Sequence, residues 1–116
     1  MNPEIKQKWL TALRSGEYVQ GTGALRKNDT FCCLGVLCDL YSKETGNGGW
    51  RMDDILSVKD FMIGENRQMS VLPGDVMEWA GLKSDVGYDD GNAHLANKND
   101  NGSTFEEIAD IIEKNL

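Results

Sequence analysis

Between Phe31 and Tyr41 the chain carries a single charge, Asp39, and its apolar positions run almost all the way round a helix. Leu34, Leu37, Cys38 and Tyr41 repeat at i, i+3, i+4 and i+7, while Val36 and Leu40 mark a second face. A helix that is apolar on every side must be buried on every side. The stretch Thr30–Tyr41 therefore predicts a central core helix, entered from a short strand that ends near Cys32.

The flanking patterns supply the elements around it. Asn2-Pro3 caps and opens a first helix, with Ile5, Trp9, Ala12 and Leu13 as its apolar stripe and Gly16 after its end. Residues 17–23 read as a glycine-containing loop. Ala24–Arg26 and Thr30–Cys32 then flank Lys27-Asn28-Asp29 as a hairpin. Asn47-Gly48-Gly49 reads as a flexible loop leading to Trp50 and Arg51. Val58–Ile63 and Gln68–Leu72 form a second hairpin, turning at Gly64–Arg67. Pro73 opens a short helix with Val76, Trp79 and Ala80 facing inward and Gly81 at its end. Residues 83–102 are polar, with a short apolar anchor at Ala93–Ala96. Ser103-x-x-Glu106 and Thr104-x-x-Glu107 both fit a capping box for a last helix, whose stripe is Phe105, Ile108, Ala109 and Ile112. The expected fold is α+β: one domain over 1–116, about four helices around the buried central one, and a small antiparallel sheet of two hairpins.

Composition narrows the class. At 116 residues the chain can bury a self-standing core. Its net charge of −7 is uneven: residues 1–31 hold five cations against three acids, and the excess of acids lies beyond, mostly from Asp85 onward. An acidic chain repels nucleic-acid backbones except at a local basic patch, so direct nucleic-acid binding is disfavoured. No run has the length of a membrane span, and the N-terminus reads as a polar helix rather than a secretory signal. Three cysteines, two of them adjacent, form no disulfide framework and fit a reducing cytoplasm.

Four chemistries compete. Cys33, where the core helix begins, with His94, the single histidine, could form a thiolate dyad for hydrolysis. The apolar setting of all three cysteines favours core packing instead. Cys32, Cys33, Cys38 and His94 have the count for a zinc site but the wrong spacing, so no metal or other cofactor is expected. Asn97-x-Asn99-x-Asn101-Gly102 resembles half a calcium loop, yet Asn97 and Ile108 stand where the pattern needs an aspartate and a glutamate. Asp89-Asp90, in a glycine-flanked loop, reads as solvated surface. The fourth is small-ligand binding. Arg14, Tyr18, Gln20 and Arg26 cluster in a stretch containing Gly16, Gly21 and Gly23, and Trp50 and Arg51 add a second aromatic and guanidinium. Arginine forks suit phosphates, aromatic faces suit bases, and glycines admit close backbone approach. Ordinary surface side chains are the competing reading of the same six.

Four blocks, KQKWLTALRSGEYVQGTGALR, FCCLGVLCDLY, LPGDVMEWAGL and HLANKNDNGSTFEEIADIIEKNL, follow in that order. In them the chain resembles a group of small uncharacterised proteins encoded by tailed bacteriophages and prophages. It departs from that pattern at Lys98-Asn99-Asp100, where an apolar residue usually precedes the Asn-Asp pair. The resemblance implies no catalytic or binding residues. It implies a setting: an accessory protein in the bacterial host cytoplasm, acting against host defence by sequestering a nucleotide signal or blocking a defence protein. The leading expectation is thus a non-enzymatic sponge for a small anionic, nucleotide-like signal, held by Arg14, Tyr18, Gln20, Arg26, Trp50 and Arg51. A pocket shared between subunits would make it a homodimer or larger homo-oligomer. The alternatives are an acidic inhibitor of a host protein that imitates nucleic acid through Asp85–Glu113, and the Cys33–His94 hydrolase.

Overall fold

In the computed structural model, which describes residues 1–52, 58–87 and 94–116, helix α1 spans Pro3–Arg14. The Asn2 side chain accepts the amides of Glu4 and Ile5 at 2.9 and 3.2 Å, satisfying two donors that a helix start leaves orphaned. Ser15 caps the other end, and Gly16 turns the chain away at φ 76°. The buried stripe is Ile5, Trp9, Leu10 and Leu13.

Helix α2, Cys33–Thr45, fulfils the all-round apolar pattern: Cys33 through Asp39 and Tyr41 are all buried. It packs against α1 on one side, where the Trp9 indole donates to the Cys33 carbonyl at 2.9 Å. At Gly35 the helix lies directly on the backbone of Leu25, and a Cβ there would run into the Leu25 carbonyl.

The remaining helices cover α2 and α1. Helix α3, Gly74–Ala80, buries Val76 and Ala80 and ends at Gly81, φ 72°. Trp79 is only partly buried, edge-on to Tyr41 with ring centroids 5.4 Å apart. Helix α4 is Leu95–Asp100, and α5 is Phe105–Asn115. Of the two capping boxes, Thr104 with Glu107 is the one that forms, and Phe105, Ile108, Ala109 and Ile112 are buried as the stripe requires.

The strands are β1 Val19–Gln20, β2 Arg26–Lys27, β3 Thr30–Phe31, β4 Gly49–Met52, β5 Val58–Ile63 and β6 Asn66–Gln68. They lie in the order β1-β3-β2-β5-β4, with β6 also paired to β5. The first hairpin turns through Asn28, the one described non-glycine residue with positive φ, at 54°. Asparagine tolerates that conformation better than most residues.

The α+β class matches expectation, while the helix count and the sheet of two hairpins differ, in four places. Among the described residues there are five helices, because the supposedly irregular 94–100 stretch forms α4. The sheet is mixed, since β1 lies parallel to β3. Residues 49–52 form strand β4 on β5 instead of a flexible loop. The second hairpin is tighter than expected, with Ile63 opposite Asn66. Asp89, Asp90 and Ala93 lie outside the described residues.

A chain of edge-to-face aromatic contacts joins sheet and helices. It runs Tyr18–Phe31, Phe31–Trp50 and Trp50–Phe61 at 5.0, 5.8 and 4.9 Å, then Phe61–Tyr41 at 6.3 Å. Its Tyr18 end opens to the surface beside α2, and there the site lies.

Candidate functional site

The one charge between Phe31 and Tyr41 organises it. Asp39 sits on the face of α2 turned toward β1 and β4 and keeps only 9% of its surface exposed. Its Oδ2 accepts the Tyr18 phenol at 2.6 Å and the Lys43 ammonium at 3.0 Å, and its Oδ1 accepts the Trp50 indole at 3.1 Å. Burial pushes the Asp39 pKa up, but the donors from Tyr18, Lys43 and Trp50 together outweigh it and hold the carboxyl below its ordinary value. Lys43 stands one helical turn after Asp39, the spacing at which two side chains on a helix meet. Burial and the bond to Asp39 both raise the Tyr18 phenol.

Beside this carboxylate, β2 places Arg26 in register with Phe31 of β3. The guanidinium lies 4.7 Å from the Phe31 ring centroid and 5.6 Å from that of Trp50, a cation–π arrangement. Its Nε donates to the Asn28 carbonyl at 2.9 Å. Among the described residues its one ion-pair partner, Asp29 at 3.3 Å, has a side chain 94% exposed, so that pairing is weak. Glu17, Tyr18, Arg26, Phe31, Asp39 and Lys43 line a cleft of about 360 Å³. A second cleft, about 580 Å³, runs between α1 and α2 and shares Glu17, Tyr18 and Lys43 with the first.

The six residues expected to bind ligand therefore divide. Tyr18, Arg26 and Trp50 come together around Asp39. Arg14 does not join them: its guanidinium bonds Asp110 and Glu113 of α5, at 2.8 Å each, and lines neither cleft. Gln20 is a strut, donating to the Asn99 side chain at 2.9 Å and the Ser103 carbonyl at 2.7 Å while accepting the Phe105 amide. Arg51 is exposed on β4, and strand alternation sends it to the face opposite Trp50. Asp39, Lys43 and Phe31 are the members that sequence reasoning passed over. The signal was present in a lone carboxylate inside an apolar helix with a lysine four residues on.

The cysteines lie elsewhere. Cys33 is fully buried, its Sγ 3.7 Å from the Leu95 carbonyl, and burial holds its thiol well above the ordinary value. Cys32 is the N-cap of α2, with its thiol pushed up to about 11 by burial, and Cys38 is buried behind it. A thiol at such a value is protonated at neutral pH and is a poor nucleophile. His94 caps α4, its Nδ1 accepting the Asn97 amide at 3.0 Å. Among the described residues no group of three or more His, Cys, Asp or Glu side chains is placed to hold a metal ion. The half calcium motif is helical, Asn97 and Asn99 belonging to α4. No helix of the described residues is long and apolar enough to cross a membrane.

Compared with known proteins, the whole chain, residues 1–116, matches the model of a family described as a domain of unknown function, DUF8296, and the chain belongs to that family. No curated protein and no solved structure matches it.

Proposed function

We propose that this member of the family binds a small anionic, nucleotide-like ligand in the cleft beside Asp39. The observation that carries the reading is the Arg26 guanidinium, set against the Phe31 and Trp50 rings and opposed, among the described residues, by one highly exposed carboxylate. Such an arginine is held in place by the rings beside it. Its outer face suits a planar base and its edge N–H groups suit phosphate oxygens. Lys43, with a side chain 69% exposed, adds a second cation at the rim. Asp39, held ionised by three donors, keeps acceptor capacity on Oδ1 for an N–H of a base.

In this reading Arg26, Lys43, Tyr18, Phe31, Trp50 and Asp39 form the site, and Arg14, Gln20 and Arg51 are outside it. The role we propose is non-enzymatic: a phage accessory protein that sequesters a nucleotide signal of host defence in the bacterial cytoplasm. The four sequence blocks shared with phage and prophage proteins support that setting. The rival reading, an acidic inhibitor imitating nucleic acid, is weakened because Arg14 occupies two of the carboxylates on α5.

Thermal unfolding in the presence of AMP, GMP, CMP and UMP tests the proposal. A ligand at about 100 times its Kd adds roughly 2.7 kcal/mol, several degrees for a domain of this size. At least one nucleotide is expected to give such a shift, Arg26→Ala to abolish it and Arg14→Ala to keep it. No shift with any of the four, or a shift that survives Arg26→Ala, would overturn the reading.

A further inference from the structure

The two clefts meet at one wall. Glu17, Tyr18 and Lys43 line both, and the Lys43 ammonium lies 3.4 Å from the Tyr18 hydroxyl and 5.5 Å from the centre of its ring. The smaller cleft holds Arg26 and the Asp39 carboxylate. The larger is differently made, with Ala12 and Leu40 supplying apolar surface and Gln7, Thr11 and Ser15 supplying neutral polar groups. Its own charged pair, Lys8 and Glu44, is joined across the two helices. At about 580 Å³ it falls within the range typical of ligand sites, roughly 300–1,000 Å³.

We infer that the ligand has two bases joined through phosphate, a dinucleotide, with one base in the Asp39–Arg26 cleft and the other between α1 and α2. This rests on the nucleotide reading above and specifies its ligand. The division of chemistry fits the division of space. A second base needs apolar surface for its faces and neutral donors and acceptors for its edge, as Ala12, Leu40, Gln7, Thr11 and Ser15 provide. The linking phosphate falls at the shared wall, where Lys43 lies. Its ammonium has three donors, of which Asp39 and Tyr18 take two, leaving one for a phosphate oxygen. A mononucleotide would use one compartment alone. Joining a second base to the first makes its binding effectively intramolecular and raises affinity without altering the first contacts.

Titration calorimetry of the full chain with GMP, pGpG and cyclic di-GMP, and with AMP, pApA and cyclic di-AMP, tests it. At least one dinucleotide, linear or cyclic, is expected to bind ten-fold or more tightly than its own mononucleotide. Ala12→Trp and, independently, Thr11→Trp fill the α1–α2 compartment. Each is expected to remove that gain while mononucleotide affinity and the unliganded melting temperature hold. Dinucleotides binding no more tightly than mononucleotides, or a gain that survives both substitutions, would overturn the inference and leave the mononucleotide site standing. Absence of binding by all six compounds would overturn the inference, and, with no thermal shift from CMP or UMP either, the nucleotide reading as well.

Discussion

The Tyr18 phenol donates to the Asp39 carboxylate at 2.6 Å, tying the strand entry before β1 to the middle of the core helix. Hydrogen bonds to charged groups contribute about 1.5–3 kcal/mol, and Tyr18 is only partly buried, so Tyr18→Phe is expected to cost about 1.5 kcal/mol in urea unfolding at pH 7. The linked pH dependence has a definite sign. Asp39 has a lower pKa folded than its ordinary value, so its contribution is full above the unfolded pKa and disappears as pH falls through the folded one. The stability difference between the native chain and Asp39→Asn should therefore hold near neutrality and shrink below about pH 4. A difference that stays constant down to pH 2 would show that the carboxylate's charge is not what matters.

Asn99 is a fully buried polar residue at the junction of four segments. Its Oδ1 accepts the Gln20 side chain at 2.9 Å and the Cys33 amide at 3.2 Å, and its Nδ2 donates to the Gly21 carbonyl at 2.8 Å. Each buried partner left unsatisfied costs about 1–3 kcal/mol. Asn99→Ala is expected to lose about 3–5 kcal/mol. A loss under about 1 kcal/mol would mean that water replaces the side chain and the junction is less dry than it looks.

Gly35 sets two effects against each other. Gly35 lies in the first turn of α2, and inside a helix alanine is favoured over glycine by up to roughly 0.5–1 kcal/mol. A Cβ here, however, would run into the Leu25 carbonyl oxygen and lie 2.7 Å from the Leu25 carbonyl carbon, both backbone atoms with little room to move. Overpacking of this kind costs about 1–3 kcal/mol or more, so the steric effect should win and Gly35→Ala should destabilise. A stabilised Gly35→Ala chain would show that the contact between α2 and the 24–25 segment yields easily.

The thiols provide a check on the hydrolase alternative. Cys33 is fully buried and pushed toward its protonated form, so the folded chain should react with a thiol reagent only as fast as it opens. Cys33→Ala should cost about 1–2 kcal/mol and leave ligand binding intact. Rapid modification of Cys33 under native conditions would contradict this and favour the nucleophile.

How far the fold was legible in the sequence depended on how much pattern each element had room to display. Helix α2 is apolar on all sides over more than two turns, and α1 and α5 carry caps as well as stripes, so their positions followed directly. Helix α4 has six residues, and one of its two buried positions is Asn99, a polar residue that a hydrophobicity pattern discounts. Strand β1 has two residues, too few for alternation, and its parallel partner becomes apparent only in three dimensions. The glycines before Trp50 suggested a loop, although β4 begins at Gly49 and pairs through four residues with β5. At the site, residue type was enough to bring forward Tyr18, Arg26 and Trp50. It could not reveal that Asp110 and Glu113 draw Arg14 to the other side of α1, because that pairing spans nearly the whole chain. Asp39 stood out only as the single charge of an apolar stretch, and it is the point on which three donors converge.

The most direct measurement is a titration of the labelled chain with a nucleoside monophosphate followed by amide and indole NMR shifts. Three tryptophans provide built-in controls. Trp50 borders the cleft and donates to Asp39, whereas Trp9 is sealed in the core with its indole on the Cys33 carbonyl. The Trp50 indole should move with the amides of residues 17–18, 26–31 and 39–43, and the Trp9 indole should stay. Shifts concentrated instead on α5, or a spectrum that does not change at millimolar nucleotide, would contradict the assignment of the cleft beside Asp39 as a nucleotide site.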